Sequence, residues 1–243
     1  MRALRTVLVL LAVWQAVVWL LAPPRYILPD PIDVVSLFGR QPCYLLDNTL
    51  VTLAEIAVGF VTGTILGFST ALVAAALPRL GRLVWPLVLV LQAFPVFVVA
   101  PLLVLWFGFG MTSKVVMTTV IIFFPVASAF ADGLRRVEPD ILDATALTSA
   151  TRWQTLIHIR LPLALPSLVS GLRVAAPLAP LGAVIGEWVG ASAGLGFVIV
   201  QANARMQTDT VFAAMTILAA LALALRQAVD AFAPLLTPWA EER

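Results

Sequence analysis

The chain has 243 residues, of which 61% are hydrophobic and 12% are charged, and its formal net charge is +2. Soluble globular proteins have about 25% charged residues, so this composition excludes an ordinary soluble domain and places the chain in a lipid bilayer. No clustered basic face indicates nucleic-acid binding. The single cysteine, Cys43, has no partner within the chain for a disulfide.

Six apolar stretches are long enough to be membrane-spanning helices, which need about 20 mostly apolar residues. Strands of a membrane barrel would be about 10 residues long with alternating polarity. We therefore predict an all-α polytopic transmembrane bundle that forms a single domain over residues 1–243. The predicted spans are 6–22, 51–77, 83–106, 115–131, 163–189 and 209–231.

The first apolar stretch follows Arg2 and Arg5, an arrangement also found in secretory signal peptides. However, the stretch is long for a cleavable signal, and the Pro23-Pro24 pair directly after it suits a signal peptidase badly. We therefore expect a retained first helix. Residues 23–47 contain five prolines and are predicted to form an extracytoplasmic connector with one short helix at about residues 32–38.

The distribution of basic residues in short loops predicts the orientation of a membrane protein, because the cytoplasmic side carries more of them. With a cytoplasmic N-terminus, the inside receives Arg2, Arg5, Arg79, Arg82, Arg135, Arg136, Arg152, Arg160 and Arg243, and the outside receives Arg25, Arg40, Lys114 and Arg205. This bias places residues 132–162, here named the coupling segment, in the cytoplasm.

The coupling segment is polar and has two helix-start signals. Pro139 suits the first turn of a helix that we expect to reach about Thr148. The sequence Thr151-Arg-Trp-Gln154 has the form of a capping box, which predicts a second helix, and Pro162 should end it. Two short helices of this kind would form a compact cytoplasmic knob. The alternative is an amphipathic connector that lies on the membrane surface.

The same segment carries a motif with fixed spacing: E-A-A, three residues, G, nine residues, then I-x-L-P. Here Asp, Thr and Ser replace the first Glu, the second Ala and the Gly. The matching residues are Asp143, Ala144, Thr145, Ser149, Ile159, Leu161 and Pro162. Together with residues 92–95, 101–110, 124–125 and 186–190, this motif resembles the membrane subunits of ABC importers of the nitrate, sulfonate and taurine group.

The resemblance implies a type I importer permease in a bacterial inner membrane. It also implies a homodimer that works with ABC ATPase subunits and an extracytoplasmic substrate-binding protein, and no cofactor. Residues 94–101, 133–136, 182–190 and 203–206 look most like permeases for thiamine-precursor pyrimidines such as hydroxymethylpyrimidine. Sulfonates, taurine, nitrate and riboflavin remain open as cargo.

The energy source is expected to lie on another subunit. A phosphate-binding P-loop needs a Gly-Lys-Ser/Thr sequence, whereas the one lysine, Lys114, lies between Ser113 and Val115. The rival interpretation is an ATP-independent secondary transporter, which would need an ion path of membrane-embedded carboxylates or histidines. The candidate carboxylates are Glu55, Glu187, Asp209 and Asp230, and the sequence pairs no two of them. The lone His158 indicates neither a metal site nor an enzyme.

Prolines and glycines interrupt the third and fifth predicted spans, which is tolerated where a cavity or neighbouring helix satisfies the freed backbone groups. We therefore predict that the translocation path involves Gln92, Pro95, Glu187, Trp188 and Asn203. An ionisable residue at membrane depth normally faces a cavity or a partner. The alternative for Glu187 is hydration at the outer interface, with Trp188 in the aromatic belt.

Overall fold

The computed structural model describes residues 2–240, and all regular elements in this part of the chain are helical. The all-α prediction is therefore confirmed. The α-helices in these residues are α1 (Arg2–Leu21), α2 (Pro31–Arg40), α3 (Pro42–Ala76), α4 (Pro78–Ala93), α5 (Val96–Phe107), α6 (Met111–Arg135), α7 (Pro139–Ala146), α8 (Arg152–Thr155), α9 (Leu161–Ala175), α10 (Ala179–Gly190), α11 (Leu195–Ala204) and α12 (Thr208–Leu236).

Four continuous helical stretches are long and apolar enough to cross a membrane. They are α3, α6, the stretch Arg152–Gly190 that joins α8 to α10, and α12. The bent pair of α4 and α5 makes a fifth if it counts as one span. The apolar part of α1, Leu8–Leu21, is a shorter helix. The described residues thus contain four or five candidate spans, where the sequence predicted six.

The third predicted span, residues 83–106, is not a straight helix. The axes of α4 and α5 differ by 99° at the break around Phe94 and Pro95. Phe94 is extended, with ψ of 133°, because the ring of a following proline disfavours the helical conformation of the residue before it. Pro86 and Pro101, by contrast, lie inside helices.

The fifth predicted span, residues 163–189, lies within the continuous helical stretch Arg152–Gly190, whose helical geometry changes twice. A wide π-helical turn spans Leu156–Arg160, and a 3₁₀ turn spans Ala176–Leu178. Pro162 was expected to end the second helix of the coupling segment, and this was wrong. The π turn changes the hydrogen-bond register, with the Leu161 N–H donating to the Leu156 carbonyl, so the chain continues as helix through a residue that lacks an N–H.

Helix α6 lies at the centre of the bundle, between α3, α9 and α10. Glycines let the neighbouring backbones approach it closely. A Cβ atom at Gly63 of α3 would lie 2.7 Å from Cβ of Ile122, and one at Gly182 of α10 would lie 2.8 Å from Cα of Thr118. Gly59 and Gly67 continue the α3 contact one turn to either side. The three glycines of α3, here named the α3 ridge, let α3 pack closely on α6.

The N-terminal helices pack against the start of α12. The Trp14 ring lies 5.1 Å from that of Phe212, centroid to centroid, and its Nε1 donates to the Pro29 carbonyl at 3.1 Å. Helix α2 begins after Asp30, whose side chain accepts a hydrogen bond from the Ile32 N–H. A short helix was expected at residues 32–38 of the connector, and α2 confirms it.

Candidate functional site

The coupling segment forms two short helices joined by a tight turn, as the sequence predicted. Helix α7 begins at Pro139 and carries Asp143 and Ala144 on an exposed surface. Thr145 is half-buried, and its hydroxyl donates to the Ile141 carbonyl at 2.6 Å. The motif positions of α7 therefore present small and acidic groups at the surface, while the hydroxyl of Thr145 is used within the helix.

Ser149 lies in the turn after α7, with φ of 58°. This left-handed conformation favours glycine, because a Cβ atom there crowds the backbone. The motif has glycine at this position, and the positive φ explains that preference. In this chain serine replaces the glycine. The turn joins α7 to α8.

The predicted capping box at the start of α8 is confirmed. The Gln154 N–H donates to Thr151 Oγ1 at 3.3 Å, and the Thr151 N–H donates to Gln154 Oε1 at 2.9 Å. Each side chain thus satisfies a backbone donor that the first turn leaves free. The start of the second helix is fixed by these reciprocal bonds.

The end of the coupling segment is joined rigidly to the bundle. Leu156 is 4% exposed and belongs to the main hydrophobic core. The motif residues Ile159, Leu161 and Pro162 are half-buried, and they lie on the helical stretch that continues to Gly190. A force applied to the knob would therefore reach a membrane-spanning element directly.

Two large apolar side chains project from the coupling segment, and the sequence analysis missed both. Leu147 is 89% exposed and Trp153 is 59% exposed. Residues of this kind scattered singly are common on surfaces, but both of these lie on one small, otherwise polar knob. The sequence did contain a signal for them, because two large apolar residues stand in an otherwise polar segment. They give the knob an apolar surface suited to a protein partner.

The residues predicted to line the path lie on different elements. Gln92 and Pro95 are exposed at the break between α4 and α5, and Asn203 is exposed in the last turn of α11. Trp188 is 54% exposed, whereas Glu187 is only 2% exposed. The structure therefore separates the predicted Glu187–Trp188 pair, with one side chain inside the fold and the other on its surface.

Glu187 is held by several hydrogen bonds inside the bundle. Thr52 Oγ1 donates to Glu187 Oε1 at 2.7 Å, and the Gly196 N–H donates to Glu187 Oε2. The Leu195 N–H in turn donates to Thr52 Oγ1 at 2.8 Å. A hydrated position at the outer interface does not agree with this environment. Glu187 instead ties α3 and α10 to the start of α11.

Glu55 lies beside Glu187 and was not predicted to do so. Its carboxyl group is within hydrogen-bond reach of the Glu187 carboxyl group, and the side chain is 2% exposed. The two residues are far apart in the sequence, so no local pattern could have paired them. Their common signal was that both are carboxylates within apolar stretches.

Lys114 belongs to the same end of the bundle and was expected in an exterior loop. It lies instead in the first turn of α6 and is 1% exposed. Its ammonium group donates to the carbonyl oxygens of Phe109, Gly110 and Gly190, the last at 2.9 Å. Lys114 therefore joins the turn before α6 to the end of α10.

A second ionic cluster joins α9 to α12. Asp230 accepts from Arg173 Nε at 2.7 Å and from Arg226 Nε at 3.1 Å. Arg226 also donates to the Arg173 carbonyl at 2.7 Å. The sequence placed Asp230 in the last span without a partner, and the structure supplies two. All three side chains are partly exposed.

Comparison with known proteins agrees with this architecture. Residues 63–241 match the family described as binding-protein-dependent transport system inner membrane component. A probable ABC transporter permease protein of Haemophilus influenzae is 45% identical over 91% of each chain. The riboflavin transport system permease protein RibX of Chloroflexus aurantiacus is 35% identical, over 96% of this chain and 88% of that protein.

Two further matches bear on cargo and fold. The formylaminopyrimidine transport permease protein ThiX of Halalkalibacterium halodurans is 32% identical, over 97% of this chain and 94% of that protein. A structure of the MetNI methionine ABC transporter in an inward-facing conformation superposes with a TM-score of 0.69 at 21% identity. That match covers 80% of this chain and 96% of the other. The predicted fold of a type I importer permease is thereby confirmed.

Proposed function

Because the chain belongs to the family of binding-protein-dependent transport system inner membrane components and is an ABC importer permease subunit, we propose that two copies form the path for a thiamine-precursor pyrimidine. Membership of the family implies an ATPase and a substrate-binding protein as partners. In this proposal the binding protein delivers the pyrimidine outside the cell, and ATP hydrolysis drives the permease from the cytoplasmic side.

In this proposal the ATPase docks at the coupling segment, residues 132–162. The supporting observation is an exposed knob, with Leu147 in its turn, that is followed by the continuous helical stretch Arg152–Gly190. A motor can move the bundle only through a contact that keeps its shape. The capping box and the Leu156 anchor give the knob that rigidity.

Leu147→Asp tests this docking. Burial of a leucine contributes about 1.5–3 kcal/mol, so we expect the substitution to weaken ATPase association by at least about tenfold. Association is measured by pull-down of the ATPase on the purified, detergent-solubilised permease. The matched control is Ile32→Asp on α2, another exposed apolar residue, which should leave association unchanged. Equal association in both variants would refute docking at the knob.

The cargo proposal rests on the relatives and on the chemistry of the path. One relative is named for formylaminopyrimidine and another for riboflavin, so nitrogen heterocycles recur among them. Trp188 offers an exposed aromatic surface on which a flat ring could stack. Gln92, Pro95 and Asn203 add exposed groups to the proposed path surface. Glu187 acts on the path indirectly, through the loop that follows α10.

Competition for uptake distinguishes the cargo candidates. Cells that express the complete importer should take up labelled hydroxymethylpyrimidine, and excess unlabelled pyrimidine should abolish the uptake. Excess riboflavin, taurine or nitrate should leave it unchanged. No uptake of labelled pyrimidine, together with uptake of labelled taurine, would replace the pyrimidine with a sulfonate, and uptake of labelled riboflavin in its place would replace it with a flavin.

A further inference from the structure

A cleft of about 410 Å³, here named the basic cleft, opens beside the coupling segment. It lies between the end of α3, the first turns of α4 and the end of α6. Three arginines line it: Arg82 of α4, Arg135 of α6 and Arg160 of the π turn. The other lining residues are small, apolar or aromatic, and none of them is acidic. The cleft is large enough for a small ligand, since such sites have volumes of about 300–1,000 Å³.

The three arginines of the basic cleft have no counter-charge among the described residues. All ion pairs in this part of the chain involve other arginines, and so do all hydrogen bonds that arginine side chains donate there. Like charges around one cleft repel each other, so an anion that binds between them is stabilised. A phosphate group fits this role well, because the planar guanidinium group can donate two parallel hydrogen bonds to its oxygens.

An aromatic ring positions one of these arginines. Arg135 Cζ lies 4.6 Å from the centroid of the Trp85 ring, which is a cation–π contact. Trp85 itself lines the cleft and packs against the main hydrophobic core. The contact needs none of the five N–H donors of the guanidinium group. Arg135 is therefore held at the cleft with donors left for a ligand.

The surface of α4 next to the basic cleft is apolar. Leu83 and Leu87 follow directly after two residues that line the cleft, and Val90 lies one turn further along the helix. All three side chains are exposed. A ligand whose anionic group lies in the cleft can therefore extend an apolar chain along α4. An inorganic anion has no such chain, whereas a phospholipid has both parts.

We propose that the basic cleft binds the phosphate group of an anionic phospholipid, from the leaflet that contacts the coupling segment. Arg82, Arg135 and Arg160 donate hydrogen bonds to the phosphate oxygens, and an acyl chain lies along the exposed apolar side of α4. Basic pockets between the ends of spanning helices are known to bind anionic headgroups. The lipid would join α4 and α6 to the π turn that ends the coupling segment. This inference does not depend on which solute is imported.

The test is native mass spectrometry of the purified permease–ATPase complex, titrated with phosphatidylglycerol or with phosphatidylcholine of the same chain length. The wild-type complex should bind phosphatidylglycerol about tenfold more tightly than phosphatidylcholine, because the cleft is cationic. The double variant Arg82→Gln with Arg160→Gln removes two of the three charges. It should bind phosphatidylglycerol roughly 25-fold more weakly, at about fivefold for each arginine, and should lose the preference between the two lipids.

The double variant Arg79→Gln with Arg136→Gln is the matched control. Both residues are exposed at the same end of the bundle, and neither lines the basic cleft. The control removes the same charge, but exposed charges contribute little to a specific contact. Its affinity for phosphatidylglycerol should stay within about twofold of wild type. If the first double variant does not assemble, Arg82→Glu is compared with Arg79→Glu in the same way.

Equal weakening in the cleft variant and its control would overturn the site, because it would show only general attraction to a positive surface. Displacement of phosphatidylglycerol by inorganic phosphate at equal concentration would assign the cleft to a small anion instead of a lipid. Phosphatidylglycerol that binds the isolated permease but not the complex would mean that the ATPase covers the cleft. Either of these results would also contradict the proposal.

Discussion

Ser149 is a residue whose backbone conformation is unfavourable for its side chain. Its φ of 58° places it in the left-handed region, where a residue other than glycine costs about 1–2 kcal/mol. Its turn joins α7 to α8. A serine here therefore reduces the stability of this turn.

Ser149→Gly should remove this strain and raise the thermal unfolding midpoint of the purified permease by about 2–4 °C. The control is Thr148→Gly, one residue earlier, where φ is not positive. That substitution should lower the midpoint, because glycine adds conformational freedom to the unfolded chain. A lower midpoint for Ser149→Gly than for wild type would contradict the assignment of strain.

The packing of α3 on α6 depends on small residues spaced by one helical turn. Gly59, Gly63 and Gly67 recur at intervals of four on α3, and each faces a side chain of α6. This spacing is typical of close helix contacts in membranes. The spacing is visible in the sequence, whereas the helix that it contacts is not.

Gly63→Ala should destabilise the bundle. The new Cβ atom would lie 2.7 Å from Cβ of Ile122 and 2.9 Å from the Thr119 carbonyl oxygen, so the helices must move apart. Overpacking of this kind costs about 1–3 kcal/mol, which a thermal unfolding measurement in detergent detects.

Gly39→Ala on α2 is the control, since no atom lies within 4 Å of its new Cβ. Alanine is the better helix former, so this variant should be as stable as wild type or slightly more stable. If Gly63→Ala and Gly39→Ala unfold at the same temperature, the α3 ridge does not hold the two helices together.

At the scale of the whole molecule, the orientation remains a prediction from the distribution of basic residues. Cys43 provides a direct test, because it is the only cysteine in the chain and is exposed near the start of α3. If the N-terminus is cytoplasmic, Cys43 lies outside. A membrane-impermeant thiol reagent should then label it in intact, right-side-out vesicles.

The control for this labelling is Cys43→Ser combined with Ser149→Cys, which places the only thiol on the coupling segment. That protein should react only after the vesicles are opened. Two results together would reverse the predicted topology: the Ser149→Cys protein is labelled from the outside, and Cys43 of the wild-type protein is not. The knob would then lie beyond the reach of a cytoplasmic ATPase.

Signals that act within a few residues were sufficient to predict the coupling segment. The side chains of Thr151 and Gln154 each accept a hydrogen bond from the other residue's backbone N–H within one turn. Pro139 suits the start of a helix because its ring fixes φ and it has no N–H to leave unsatisfied. The apolar stretches likewise predicted the bundle, because the bilayer requires continuous helices. Two local predictions failed: the residues around Pro95 form a sharp bend, and a π turn carries the helix through Pro162.

The buried polar groups depend on tertiary contacts that the sequence does not encode locally. Glu55, Lys114 and Glu187 come from three different helices, and their proximity follows from how α3 and α10 pack on α6. The sequence identified Glu187 as unusual, but it could not reveal that Thr52 and Gly196 hold it inside the fold. Its separation from Trp188 follows from that contact.

The central claim is that this permease works in an ATP-driven importer, and uptake by proteoliposomes tests it most directly. The permease, its ATPase and its binding protein are reconstituted with labelled hydroxymethylpyrimidine outside. Uptake should require ATP in the compartment that faces the coupling segment, and it should continue when a protonophore collapses the proton gradient. Uptake that proceeds without ATP and stops with the protonophore would contradict the account and indicate a secondary transporter.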